Sequence, residues 1–131
     1  MTKVLVFGTF DLLHPGHLFL LDEASQRGDL FVVIARDAHV EEIKGRAPEH
    51  NETERLQVVT DAFPDADVRL GDAKDFLVPV REINPDLILL GYDQRMPPGV
   101  SEEDLPCKTE RLPAFEPEKW KSSLQRQQKN Q

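Results

Sequence analysis

Val4-Leu5-Val6-Phe7-Gly8-Thr9-Phe10-Asp11-Leu12-Leu13-His14-Pro15-Gly16-His17 is the stretch on which the reading of this chain turns. Val4 to Phe7 is an unbroken apolar run, as in a strand buried on both faces of a sheet. Gly8 lets the backbone turn sharply at the strand end and lets a ligand approach it closely. His14 and His17 stand three apart, so they share a face at the start of a helix. Pro15 falls in the first helical turn, where proline is tolerated. The first amides of a helix have no internal partners, and the helix dipole favours negative charge there. Two imidazoles at such a terminus make a site for phosphate. Two histidines at this spacing could instead bind zinc, but no nearby cluster supplies a third and fourth ligand.

The rest of the chain alternates strand and helix patterns. Lys3–Gly8 reads as a strand, and His17–Arg27 as a helix that stops at Gly28, with Leu18, Leu21 and Ala24 or Ser25 on one face. Leu30–Ala35 is a second buried strand, and Asp37–Ile43 a short helix. Thr53–Phe63 is a helix capped by Thr53 or Asn51, with Leu56, Val59 and Phe63 at helical spacing. Asp67–Leu70 is a third strand, Lys74–Ile83 a helix interrupted or shortened by Pro79, and Leu87–Leu90 a fourth strand. This order predicts an α/β fold: a single domain over residues 1–131 with a Rossmann-like, doubly wound parallel sheet in three α/β/α layers. The pattern weakens after about Arg95. A short helix begins near Ser101, Thr109–Leu112 is a fifth strand of poor quality, Glu116–Gln125 has helical potential and Gln125–Gln131 frays. Ligands bind such sheets beyond the carboxyl ends of the strands. Gly8–His17 and Gly91-Tyr92-Asp93-Gln94 both fall on that edge.

Composition bounds the function. The 131 residues suffice for one domain with a core, and 39% hydrophobic with 31% charged residues fits a cytosolic domain. The net charge of -8 argues against a nucleic-acid surface but not against a nucleotide ligand, since a pocket can be locally positive. No apolar run approaches a membrane span, and strand pattern begins at Lys3, which predicts a cytoplasmic protein without a signal peptide. Cys107 is the only cysteine, so no intrachain disulfide forms.

Gly8-Thr9-Phe10-Asp11 with His14-Pro15-Gly16-His17 resembles the nucleotide-binding motif of the cytidylyltransferase-like nucleotidyltransferases. The resemblance implies that the histidine pair holds the phosphates of a nucleoside triphosphate during nucleotidyl transfer, with Gly8, Thr9, Phe10 and Gly16 in the nucleotide site. It also implies a phosphate-contacting lysine after the second strand, matched by Lys44 and secondarily by Arg46, and an arginine facing the nucleotide, matched by Arg55. A serine-rich segment near the C-terminus completes the triphosphate site in this family; here it is reduced to Lys121-Ser122-Ser123. Trp120 beside it shields that site or packs the tail.

Other assignments stay open on the residues alone. Asp11 orients the acceptor, reaches Mg²⁺ through water, or caps a turn. Gly91 admits a ligand against the backbone, Asp93 can read a polar group, and Gln94 lies in the same segment. Tyr92, the only tyrosine, stacks on a base or packs.

Ile34–Asp37, Lys44–Arg46, Ile83–Gln94 and Lys121–Ser123 are similar to the archaeal-type FAD synthetases of the superfamily, chiefly over Val4–Gln94. That branch implies transfer of AMP from ATP to FMN with loss of pyrophosphate, Mg²⁺ being carried by the nucleotide and not by fixed protein ligands. Two alternatives stand beside it: a CTP-dependent enzyme acting on glycerol 3-phosphate or a similar alcohol phosphate, and a non-catalytic nucleotide-binding module. The small size, the acidity and the missing Lys-Met-Ser-Lys-Ser-type loop set aside an aminoacyl-tRNA synthetase fragment. Related enzymes are often homodimers, but no interface is legible here.

Overall fold

Strand β1 (Lys3–Gly8) is the centre of the molecule because both of its faces are apolar. Val4 and Val6 point to one face and Leu5 and Phe7 to the other, as the two-residue period of a strand requires. The computed structural model describes residues 2–72, 74–92, 94, 96 and 100–113. The chain then runs α1 (Pro15–Arg27), β2 (Asp29–Ile34), α2 (Asp37–Lys44), α3 (Glu52–Ala62), β3 (Asp67–Leu70), α4 (Leu77–Ile83) and β4 (Leu87–Leu90). A 3₁₀ turn at Glu102–Asp104 and strand β5 (Lys108–Arg111) follow.

The five strands lie in the order β3-β2-β1-β4-β5, and every neighbouring pair is parallel. The chain winds outward from β1 to β3, then crosses back past β1 to β4. The switch point therefore lies between β1 and β4, where such folds open a crevice at the strand ends. Pairing of β1 with β2 runs from Lys3↔Asp29 to Gly8↔Ile34, whereas the β1–β4 ladder ends at Leu5↔Ile88.

Two apolar layers flank the sheet. On one face Leu20, Leu21 and Ala24 of α1 and Val59 of α3 cover Val4, Val6, Leu30, Val32, Ile34 and Leu89. On the other, Val80 and Ile83 of α4 cover Leu5, Phe7, Val33, Ile88 and Leu90. These are the three layers that the alternation of patterns predicts.

Several local expectations shift. Helix α1 begins at Pro15, not His17, because His14 caps it with its own ring. Its buried face is Leu20, Leu21 and Ala24; Leu18 is half-buried and Ser25 exposed. Asn51 supplies the cap of α3 in a reciprocal pair with Glu54, and the helix buries Arg55 and Val59. Helix α4 starts only at Leu77, since the carboxylates of Asp72 and Asp75 turn the preceding chain and Pro79 falls in its first turn. The expected fifth strand is present at the edge of the sheet. The helix expected at 116–125 and the tail at 125–131 lie outside the described residues.

Candidate active site

The β1–α1 segment, the end of α2 with the chain after it, and the end of β4 converge on one cavity of about 1190 Å³ at the switch point. Gly8, Thr9, Phe10, Asp11, His14, Gly16 and His17 line it from the first segment. Lys44 and Arg46 line it from the second, and Gly91, Tyr92 and Gln94 from the third. Asp93, Trp120, Ser122 and Ser123 lie outside the described residues.

The two histidines have different hydrogen-bonding roles. His14 is the N-cap of α1: its Nδ1 accepts from the backbone N–H of Gly16 at 3.1 Å and of His17 at 3.3 Å. A neutral His14 therefore keeps its proton on Nε2, where it can donate. His17 donates from Nδ1 to the Leu12 carbonyl at 2.8 Å, which leaves a lone pair on Nε2. The rings stack with centroids 3.7 Å apart, and the Phe10 ring meets His17 edge-on at 5.1 Å. Burial, then the neighbouring charge of His14, pushes the His17 pKa down to about 4; Lys44 adds a smaller push, and the Leu12 bond opposes them. Gly16 is needed beneath the His14 ring, because a Cβ there would come within 2.9 Å of Cε1.

Gly8 serves its neighbour and not a turn of its own. The described positive-φ residues are Phe10, Asn84 and Gly45, so the sharp turn expected at Gly8 falls instead on Phe10 at φ 52°. A Cβ on Gly8 would lie 3.1 Å from the Phe10 ring, so glycine there admits the aromatic side chain. A bulky residue in the left-handed region marks a loop held by its surroundings.

Two ties hold that loop. Asp11 accepts the backbone N–H groups of Glu49 and His50, both at 2.9 Å. The Glu49 amide, helped by that of His50 and the charges of His50 and Arg55, holds its carboxyl below the usual aspartate value. Asp11 thus caps a distant loop, not the segment that follows it. Arg55 is 1% exposed and does not line the cavity. Its guanidinium donates to the carbonyls of His50 at 3.0 Å and Thr9 at 2.8 Å, and pairs with Asp37 at 2.7 Å. The arginine expected to face the nucleotide is thus committed behind the loop between β1 and α1.

Sequence reasoning missed other members of the edge. Arg111, at the end of β5, donates to the carbonyls of Gly91 and Gln94. Glu52 bonds both the Arg36 side chain and the Asp37 backbone. A smaller cavity of about 340 Å³ adjoins the large one, sharing Phe7, Gly8 and Ile43, and is walled by Arg36, Lys74 and Phe76. The signal for Lys74 and Phe76 is their place just after β3, on the edge where ligands bind. Among the described residues no group of three or more His, Cys, Asp or Glu could hold a metal, and no helix is long and apolar enough to cross a membrane.

The chain is similar to several known proteins. A FAD synthase of Methanosarcina mazei is 44% identical over 119 residues, covering 86% of this chain and 78% of that protein. A FAD synthase of Natronomonas pharaonis is 41% identical over 120 residues, covering 87% and 84% respectively. The crystal structure of a lipopolysaccharide core biosynthesis protein from Thermoplasma volcanium superposes with a TM-score of 0.76 at 31% identity, covering 88% of this chain and 99% of that one. A sequence model of the cytidylyltransferase-like family spans residues 5–123, and the chain belongs to that family.

Proposed function

We propose that this chain is a nucleotidyltransferase that moves AMP from ATP to the phosphate of FMN, forming FAD and pyrophosphate. The observation that carries the reading is the convergence on one cavity of the His14–His17 pair at a helix N-terminus, two basic side chains, Lys44 and Arg46, and the aromatic rim at Tyr92. The choice of ATP and FMN rests on the likeness to the FAD synthases.

A phosphate monoester is already an anion near neutral pH, so the acceptor needs no general base. Its oxygen attacks the α-phosphorus in line; the bond from that phosphorus to the bridging oxygen breaks, and pyrophosphate leaves with the electron pair. His14 donates from Nε2 to a phosphate oxygen. Because Nδ1 of His17 is already spent on Leu12, its Nε2 must first take up a proton to donate in the same way. An arriving triphosphate favours that protonation by raising a pKa that the free protein holds at about 4. Lys44 and Arg46 neutralise the leaving pyrophosphate, and Thr9, Gly8 and Gly16 bring backbone close to the phosphates. Tyr92, with Gly91 and Gln94, forms the base side of the site. Mg²⁺, carried by the nucleotide, would neutralise charge on the phosphates when bound. Asp11, whose carboxylate oxygens accept the Glu49 and His50 amides, would stand near such an ion as a partner through water, not as a fixed ligand.

A second reading is a CTP-dependent enzyme acting on glycerol 3-phosphate or a similar alcohol phosphate; the cytidylyltransferase-like description of the family supports only its nucleotide. Pyrophosphate release with Mg²⁺, crossing ATP and CTP against FMN and glycerol 3-phosphate, decides between them. Release only with ATP plus FMN is the expected result. Release with CTP plus glycerol 3-phosphate would move the chain to the second reading, and nucleotide binding without release in any mixture would count against both.

A further inference from the structure

Beyond Leu5↔Ile88 the main chains of β1 and β4 no longer pair, and a side chain bridges them. Gln94 donates from Nε2 to the Phe7 carbonyl at 2.6 Å, and its Oε1 accepts the Gly91 N–H at 3.0 Å. The turn that carries Tyr92 is thereby tied to β1 from one side. Arg111 ties it from the other. Its Nη1 donates to the carbonyls of Gln94 at 2.6 Å and Gly91 at 2.9 Å, with that of Tyr92 at 3.4 Å.

Arg111 comes to this position by strand alternation. Its neighbour Glu110 pairs with Arg27 of α1, and Leu112 is buried with Leu20 and Leu21 on the α1 face. Arg111 therefore leaves β5 on the opposite face and reaches past the strand ends. Three carbonyl oxygens gathered around one nitrogen lie close to each other, and their partial negative charges repel unless a cation sits among them. Tyr92 meanwhile remains 54% exposed at the wall of the large cavity, although Arg111 does not line that cavity. An exposed aromatic ring on a pinned turn suits the flat face of a base.

The geometry assigns Arg111 as a positioning residue for nucleotide binding: it holds Gly91, Tyr92 and Gln94 so that the Tyr92 ring meets the base. The assignment rests on the nucleotide site described under Proposed function, and it concerns binding, not turnover. Arg111 touches neither base nor phosphate in this role and acts through Tyr92.

The full chain contains one tyrosine, so 3-fluorotyrosine labelling yields a single ¹⁹F resonance that reports on Tyr92. ATP and CTP are titrated separately by calorimetry and by ¹⁹F NMR, and the tighter nucleotide is used for the variants. The expected result is a resonance that moves as the nucleotide saturates. Arg111→Gln weakens binding about tenfold, as loss of a charge-assisted bond would, while the melting temperature changes by less than about 4 °C. Arg111→Lys, which keeps the charge and can donate to carbonyls, recovers part of the loss. In a Tyr92→Ala background, Arg111→Gln adds less than about twofold, because the two residues act as one unit.

Equal losses in both backgrounds would reduce Arg111 to a structural residue and overturn the assignment. So would undiminished affinity in Arg111→Gln, or saturation of the wild-type chain without movement of the resonance. If Arg111→Gln does not fold, Arg111→Lys carries the same cycle. Tight nucleotide binding without pyrophosphate release would sink the proposed reaction and leave this assignment standing; no binding of either nucleotide would sink both.

Discussion

The imidazole of His17 couples stability to pH in this protein. Its ordinary pKa is 6.5, and burial beside His14 lowers it to about 4 in the fold. Between these values the unfolded chain binds more protons than the folded one. The His17 contribution is therefore fully present above pH 6.5 and is lost as pH falls toward 4. Urea unfolding of the nucleotide-free chain should show stability rising from pH 5 to 6.5, and His17→Ala should flatten that rise; an unchanged slope would mean that His17 is not held neutral. Asp11, whose carboxyl lies below its usual value, contributes a stability change at lower pH, outside this window. The same substitution should lower turnover with saturating substrates by about a hundredfold or more, as removal of a donor to developing charge does. Normal turnover would remove His17 from catalysis.

At the scale of the element, α1 is set at both ends by side-chain and backbone geometry that a propensity scale would not reveal. Its N-terminus is closed by a histidine ring in place of the usual hydroxyl or carboxylate, and this is possible because Gly16 leaves room under the ring. At its C-terminus, Gly28 brings the chain so close to the start of β1 that a Cβ would stand 2.4 Å from the Thr2 carbonyl. That carbonyl also accepts the Asp29 N–H, so it is not free to move away. Gly28→Ala should cost about 1–3 kcal/mol, since the clash is with backbone and not with the tip of a flexible side chain. Equilibrium unfolding measures this, and a change below about 0.5 kcal/mol would show that the α1–β2 connection yields. The central strands were legible for a simple reason. Val4–Phe7, Leu30–Ile34 and Leu87–Leu90 are apolar on both faces, which only a sheet covered on both sides accommodates. Helix starts were less legible, because the chain ahead of α4 is turned by local carboxylate–amide bonds that compete with helix.

In the whole molecule, the loop between β1 and α1 is positioned from behind by Arg55. This one guanidinium joins the end of β1, the start of α2 and the chain entering α3. Arg55→Gln should destabilise the fold by about 2–4 kcal/mol, because it strips donors from two carbonyls and leaves Asp37 unpaired. The check is a denaturant melt without nucleotide; a stable variant that loses only nucleotide affinity would instead return Arg55 to the ligand site. The strand–helix alternation, the parallel sheet, the edge at which the large cavity opens and the histidine pair at a helix start are all legible in the chain. These follow from apolar periodicity, turn residues and capping, all of which act over a few residues. Folding alone brings Arg55 to Thr9, 46 residues away, and Gln94 to Phe7, 87 residues away. Folding likewise sets Arg111 against the carbonyls around Tyr92. Such bonds depend on which strands become neighbours, and that is settled when the chain crosses back over β1 to build β4 and β5.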